Sequence, residues 1–295
     1  MSEIRARSFV ETAIDAVCEA SREIADLFRV APQEMGVTWK SDETPVTKAD
    51  LLSEKVIRQV MLARFPTLSL LMEEAGGECK TDGMLCLIDP LDGTSSFARG
   101  IPTYGILVAL AEGTRANVAV VACVVHEPQT GRIWYAVRGE GTHLLYYDWS
   151  THTFSDPRKI RVSSRGLFPP EKSMVIYDAA LQFREVVPRV ADKMVALNAC
   201  FPMFRRARMI GSLALQFAYV ASGFAEAAVA DAVGGPYDLC GHILVDEAGG
   251  RTTDLELQPV HIFRTKVAIA TNGDRHEELA STLRSAYQKS ICSKV

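Results

Sequence analysis

The chain has 295 residues, of which 48% are hydrophobic and 23% charged, with a formal net charge of −4. That size and composition allow a substantial core, built as one large domain or two close subdomains, and exclude a small disulfide-stapled scaffold. The acidic balance leaves no basic footprint for extended nucleic-acid binding, although a local cationic site for phosphate stays open.

The first 30 residues place Val10, Ile14, Val17, Ile24 and Phe28 along one helical face. Glu11, Asp15, Glu19 and Glu23 run through the apolar repeat, so the segment is expected to be an amphipathic helix and not a signal peptide. Thr47-Lys48-Ala49-Asp50 has the form of a capping box, and Leu52, Val56 and Val60 recur behind it at helical spacing. Strands are then expected in quick succession at Leu85 to Asp89, Gly105 to Ala111, Asn117 to His126 and Arg132 to Val137. Gly139-Glu140-Gly141 turns into another, and such short spacing favours an antiparallel sheet.

Residues 148 to 172, rich in Ser, Thr, Asp and Pro, form the candidate linker. Beyond it strands and helices alternate: Ser173 to Tyr177, a helix over Ala179 to Val195, then a buried helix and strand within Ser212 to Val233. Gly223, Glu226 and Asp231 interrupt that last stretch and argue against a membrane span. The seven cysteines, at 18, 79, 86, 123, 200, 240 and 292, include no C-x-x-C pair, as expected of reduced thiols in a cytoplasmic protein.

One segment carries chemistry. In Ile88-Asp89-Pro90-Leu91-Asp92-Gly93-Thr94-Ser95-Ser96-Phe97, a buried strand delivers Asp89, Pro90 is expected to start a turn, and Asp92 follows three residues after Asp89. On a continuing strand residues i and i+3 point to opposite faces, so convergence of the two aspartates requires the chain to turn. The turn strips the Leu91 carbonyl of a ladder partner, leaving an all-oxygen donor set suited to Mg²⁺ rather than zinc. Gly93, Thr94 and Ser95 supply close backbone approach, amides and hydroxyls for phosphate. The three-residue spacing argues against the haloacid-dehalogenase-like signature, whose two aspartates share one strand face.

This segment resembles the D-P-hydrophobic-D-G-T/S signature of the inositol monophosphatase superfamily, lithium-sensitive and magnesium-dependent phosphomonoesterases. Three further blocks occur in the family's order: Lys40 with Pro45-Val46-Thr47-Lys48-Ala49-Asp50, then Glu73-Glu74-Ala75-Gly76-Gly77, then Gly211-Ser212-Leu213-Ala214 with Pro236-Tyr237-Asp238. The resemblance implies a mixed α+β fold, a layered α-β-α-β-α sandwich, usually dimeric. It divides the chain into an N-terminal subdomain at 1–160, carrying most metal ligands, and a C-terminal α/β subdomain at 161–295.

By the same resemblance Glu73, Asp89, the Leu91 carbonyl, Asp92 and Asp238 hold two Mg²⁺, with a weaker third at Glu73 and Glu74. Asp50 orients Thr94 toward the attacking water, and Glu74 polarises water. Gly93, Thr94 and Ser95 bind phosphate, while Gly211, Ser212 and Asp231 contact substrate. Each also has a plainer reading: Asp50 and Asp238 as helix caps, Glu73 and Glu74 as solvated loop acids, and Asp231 as a strand-end acid.

The expected reaction is direct hydrolysis of a small phosphomonoester by a metal-activated water, in a cytoplasmic homodimer that binds neither membrane nor nucleic acid. Inositol monophosphate is the leading substrate. Met72, Tyr237, Ser96 and Arg99 depart from the residues common in inositol phosphatases, which keeps histidinol phosphate, fructose 1,6-bisphosphate and 3'-phosphoadenosine nucleotides open. From another class, a non-catalytic regulatory protein on the same fold is the competing expectation.

Overall fold

The computed structural model describes residues 3–30, 36–39, 45–77, 83–164, 167, 169, 171–179, 194–231 and 233–292. Lys40 and most of the expected Ala179 to Val195 helix lie outside the described residues.

Two large sheets organise the chain, beside a short antiparallel pair of β1 (Thr38–Trp39) and β2 (Pro45–Val46). In the first, β3 (Ser69–Met72), β4 (Met84–Asp92), β5 (Gly105–Thr114), β6 (Asn117–Glu127), β7 (Arg132–Val137) and β8 (Gly141–Asp148) lie in sequential order. Their pairing is antiparallel apart from β3, which runs parallel to β4. β9 (Thr153–Phe154) and β10 (Arg158–Ile160) both pair with β8, so half of the expected linker belongs to the sheet and the crossing to the second sheet begins after Ile160. In the second sheet β12 (Arg206–Arg208), β11 (Met174–Ala179) and β13 (Ala227–Asp231) are parallel, while β15 (Ala268–Thr271) and β14 (Arg251–Asp254) complete it antiparallel.

The period of two along β4 assigns its two faces. Cys86 and Ile88 pack with helices α1 (Glu3–Phe28) and α2 (Lys48–Arg64), whereas Leu85 and Leu87 pack toward α4 (Leu213–Ala221) and α5 (His242–Glu247). That second core continues onto one face of the second sheet through Ile176, Ala228 and Ala270. The other face of the second sheet, with Val175, Val229 and Ile269, is covered by α6 (His276–Cys292) and the helical segment 194–200. The result is an α-β-α-β-α sandwich, with near-continuous apolar strands because both faces of each sheet are covered.

The expected turn at Pro90 is instead a bulge inside a continuing strand. Asp89 faces Leu107 and Asp92 faces Gly105, so three steps on β4 match two on β5. Proline lacks the N–H a ladder needs, and the extra residue reverses the side-chain alternation beyond it. The two aspartates thereby converge without the strand ending. Among the described residues, five cysteines are free and buried, and no helix is long and apolar enough to cross a membrane.

Candidate active site

Helix α2 acts as a rack for one side of the site. Thr47 caps it, with Ala49 N donating to Thr47 Oγ1 at 3.1 Å and Thr47 N donating to Asp50 Oδ2 at 2.7 Å, which makes the capping box reciprocal. The other oxygen of Asp50, Oδ1, accepts the Thr94 hydroxyl at 2.7 Å. Three and four residues on, Ser53 donates to the Pro90 carbonyl at 2.6 Å, and Glu54 accepts the amides of Glu74 and Ala75 at 2.8 and 2.9 Å. Spacings of three and four put these side chains on one helical face. A single capped helix therefore fixes the β4 bulge, the turn after it and the Glu73–Glu74 loop.

Asp92 is followed by Gly93 in the left-handed region (φ 98°), where a side chain would meet the Gly211 and Thr103 carbonyls at 3.0 Å. The short helix α3 (Thr94–Phe97) starts here, and the Gly93 carbonyl receives the amides of Ser96 and Phe97. The Thr94 hydroxyl lies 3.0 Å from the Leu91 carbonyl as well as against Asp50. It has one proton, so when Asp50 takes it the Leu91 carbonyl keeps its lone pairs.

The second half of the chain reaches the same place. Ser212, which caps α4, donates its hydroxyl to Asp92 Oδ2 at 2.7 Å, and Ala214 N donates to the same oxygen at 2.5 Å. The Ser212 hydroxyl, expected to contact substrate, is thus engaged by Asp92. Asp238 does not cap a helix: Gly241 is the residue before α5, and Asp238 turns back to accept the Gly234 and Gly235 amides at 2.6 and 2.9 Å. Gly211 donates to Asp178 Oδ1 at 2.9 Å. Asp231, at the end of β13, accepts the hydroxyls of Tyr177 (3.1 Å) and Tyr287.

Electrostatics tie the acids together. Burial, then the charges of Glu73, Asp92 and Asp238, hold the Asp89 carboxyl well above the usual range, and Glu73 shares a hydrogen bond with it. Burial raises Asp92 to about 7 against the opposing bonds from Ser212 and Ala214. Asp238 is pushed up to about 8, first by burial and then by Asp92 and Glu73. Burial also raises Asp50, opposed by its hydrogen bonds to Thr47 and Thr94. Tyr237 is raised by burial and by Glu73, Asp238, Asp89 and Glu74, which places its phenol among these acids.

Mutually repelling carboxylates in a low-dielectric site favour any positive charge that can join them. Their donors are all oxygen, and the set fits a hard divalent cation. Among the described residues no three His, Cys, Asp or Glu side chains yet stand in an ion-holding geometry. One oxygen each of Asp92 and Asp238 is bound to amides or a hydroxyl, and Glu73 leans on Asp89.

The structure therefore brings together Asp50, Glu73, Asp89, Leu91, Asp92, Gly93, Thr94 and Asp238. Sequence reading passed over Ser53, Glu54 and Asp178. The first two carried a signal, polar residues on the buried side of an amphipathic helix, and Asp178 follows the apolar strand Met174–Tyr177 as Asp89 follows its own.

A layered α/β sandwich with an acidic centre between its two halves, beside a glycine turn that opens a helix, defines a class of hydrolase. Residues 6–288 match the inositol monophosphatase family. The chain is 31% identical to the histidinol-phosphatase of Mycobacterium tuberculosis, over 86% of this chain and 90% of that one. It is 30% identical to the inositol-1-monophosphatase of Rhizobium meliloti, over 95% and 96%. The crystal structure of the extragenic suppressor protein suhB from Bartonella henselae superposes with a TM-score of 0.79 at 28% identity, covering 94% of this chain and 98% of that one. The chain belongs to the inositol monophosphatase family and is a phosphoric monoester hydrolase.

Proposed function

We propose that this chain hydrolyses a small phosphorylated metabolite, inositol monophosphate before its rivals, in a centre that uses Mg²⁺. The observation that carries the reading is the gathering of Glu73, Asp92 and Asp238 around Asp89 beside the Gly93 turn. Glu73, Asp89, the Leu91 carbonyl, Asp92 and Asp238 would hold two Mg²⁺, and Glu73 with Glu74 a weaker third. When bound, such cations polarise the phosphoryl oxygens and lower the pKa of a coordinated water.

The chain's own residues do the rest. Asp50 accepts a hydrogen bond from the Thr94 hydroxyl, which turns the Thr94 lone pairs toward a water and fixes its line of approach. Thr47 holds Asp50 so that this orientation needs no rearrangement during the reaction. Amides at Gly93, Thr94 and Ser95 receive the phosphoryl oxygens, and Gly93 brings the backbone close because it has no Cβ. Glu73, hydrogen-bonded to Asp89, would turn one oxygen to a cation held beside that residue. Gly211 would face the leaving group, the part of the substrate on which selectivity depends, whereas Asp231 is engaged by Tyr177 and Tyr287 on the α6 side of the second sheet.

Residues 1–160 and 161–295 act as one catalytic unit, supported by the bonds from Ser212 and Ala214 to Asp92 across the halves. We place the protein in the cytoplasm as a homodimer.

The test is phosphate release from inositol 1-phosphate, histidinol phosphate, fructose 1,6-bisphosphate and 3'-phosphoadenosine 5'-phosphate, with Mg²⁺ titrated and Li⁺ added. Mg²⁺-dependent, Li⁺-inhibited release that favours inositol 1-phosphate supports the reading. Preference for another ester moves the substrate, and no release from folded, Mg²⁺-binding protein favours a regulatory role.

A further inference from the structure

Asp178 stands one residue before the end of the parallel strand β11 and is 6% exposed. Its Oδ1 accepts the Gly211 amide at 2.9 Å, and the flanking Ile210 and Ser212 amides lie close enough to oppose the upward shift that burial imposes on the carboxyl. One direct N–H bond, from the middle residue of the segment 210–212, thus ties that segment to the Asp178 carboxylate. Asp178 Oδ2 is buried and has no hydrogen-bond partner among the described residues. An unpaired buried carboxylate oxygen opposes folding, and packing alone would be served better by an apolar side chain of the same size.

The tethered segment leads straight into the acidic centre. The Gly211 carbonyl lies 3.0 Å from where a Cβ on Gly93 would sit, so residues 210–212 run over the turn assigned to phosphate. One residue on, the Ser212 hydroxyl holds Asp92 Oδ2 at 2.7 Å, and Ala214 N holds it from the first turn of α4. Gly211 itself takes φ +73°, a conformation a side chain would strain, so the segment depends on an outside anchor for its shape. Asp178 is that anchor, and its negative charge also acts on Asp92.

We propose that Asp178 is a positioning residue of the hydrolytic centre, which acts through the 210–212 segment to fix the hydroxyl and amide that aim Asp92. It touches neither substrate nor phosphate in this role. The proposal deepens the phosphomonoesterase reading above and rests on it for its kinetic part.

Asp178→Ala, Asp178→Asn and Asp178→Leu test it, with melting temperature, amide exchange over residues 209–215, Mg²⁺ affinity by calorimetry, and kinetics on the preferred ester. Asp178→Ala and Asp178→Leu are expected to exchange faster over 209–215 and to lose about 10- to 100-fold in kcat or Mg²⁺ affinity, with KM for the ester little changed. Asp178→Asn keeps an oxygen for the Gly211 amide and is expected to recover most of that loss. Asp178→Leu removes the unpaired oxygen and should melt no lower than the parent, which keeps the test open if Asp178→Ala unfolds.

Unchanged exchange and unchanged Mg²⁺ affinity in the leucine variant would overturn the proposal. So would an asparagine variant impaired as deeply as the leucine one, or activity that falls only in step with melting temperature. If the parent itself hydrolyses no ester, the phosphomonoesterase reading fails, and exchange and Mg²⁺ affinity still decide the role of Asp178.

Discussion

The two halves of the acidic centre are held in different ways. On the α2 side the supports are close in sequence and sit on one helix: Asp50, Ser53 and Glu54 each grip a different strand end or loop. On the Ser212 side the supports come from segments far apart in the chain, with Asp178 holding residues 210–212 and these in turn holding Asp92. The first arrangement needs only α2, β4 with the turn after it, and the loop that follows β3. The second exists only when both sheets are in place, so the site is complete only in the fully assembled sandwich. Local support gives a rigid mount, and long-range support ties the chemistry to the whole fold.

Substitutions can break that contrast. The largest effect is expected from Asp92→Asn, the acid that the Ser212 side holds, and from Asp238→Asn: each should lower kcat about a thousandfold while the protein stays folded, as steady-state kinetics with circular dichroism would show. Activity near that of the parent in either would remove the residue from the ligand set. Next comes Thr94→Ala, which deletes the hydroxyl that Asp50 orients and should cost about 100-fold in kcat with little change in KM.

Glu54→Ala probes the rack without touching the acids. It leaves the Glu74 and Ala75 amides without their acceptor, for an expected loss of about 1–3 kcal/mol in urea unfolding together with weaker Mg²⁺ binding. A Glu54→Ala protein of parental stability and Mg²⁺ affinity would show that the loop holds itself. Thr47→Ala is the mildest change, expected to lower stability by about 1 kcal/mol through the lost cap.

The raised carboxyls sharpen the comparison by pH. Asp92 and Asp238 move from an ordinary 3.8 to about 7 and about 8 in the folded protein. Between those limits the folded state holds protons that the unfolded chain releases, so the metal-free protein should lose stability as pH rises from about 4 to about 8. Saturating Mg²⁺ should flatten that decline, which melting temperatures at several pH values would reveal. A metal-free protein that gains stability over the same range would reverse the sign and place these acids in a different environment.

What the sequence disclosed follows the same division. The capping box at Thr47–Asp50, the apolar strand before Asp89, and the acid pair around Pro90 are local patterns, readable because periodicity and turn chemistry act over a few residues. The bulge was less legible. Proline announces a break in the ladder, but only the pairing of β4 with β5 decides between a turn and an extra residue. Asp238 illustrates the limit: an acid before an apolar helical run reads as a cap, yet the amides of Gly234 and Gly235 outcompete the helix and α5 begins four residues later. The Ser212 to Asp92 bond spans 120 positions, and no local pattern encodes it.

The most direct test of the central claim is calorimetric titration of the metal-free protein with Mg²⁺ at pH 7, in two buffers of different ionisation enthalpy. If the acids around Asp89 form the cation-binding centre, binding must displace protons from carboxyls titrating near 7 and 8, and the observed heat will differ between the buffers. Asp92→Asn should weaken or abolish that heat. Mg²⁺ binding with no proton release, or undiminished in Asp92→Asn, would contradict the account.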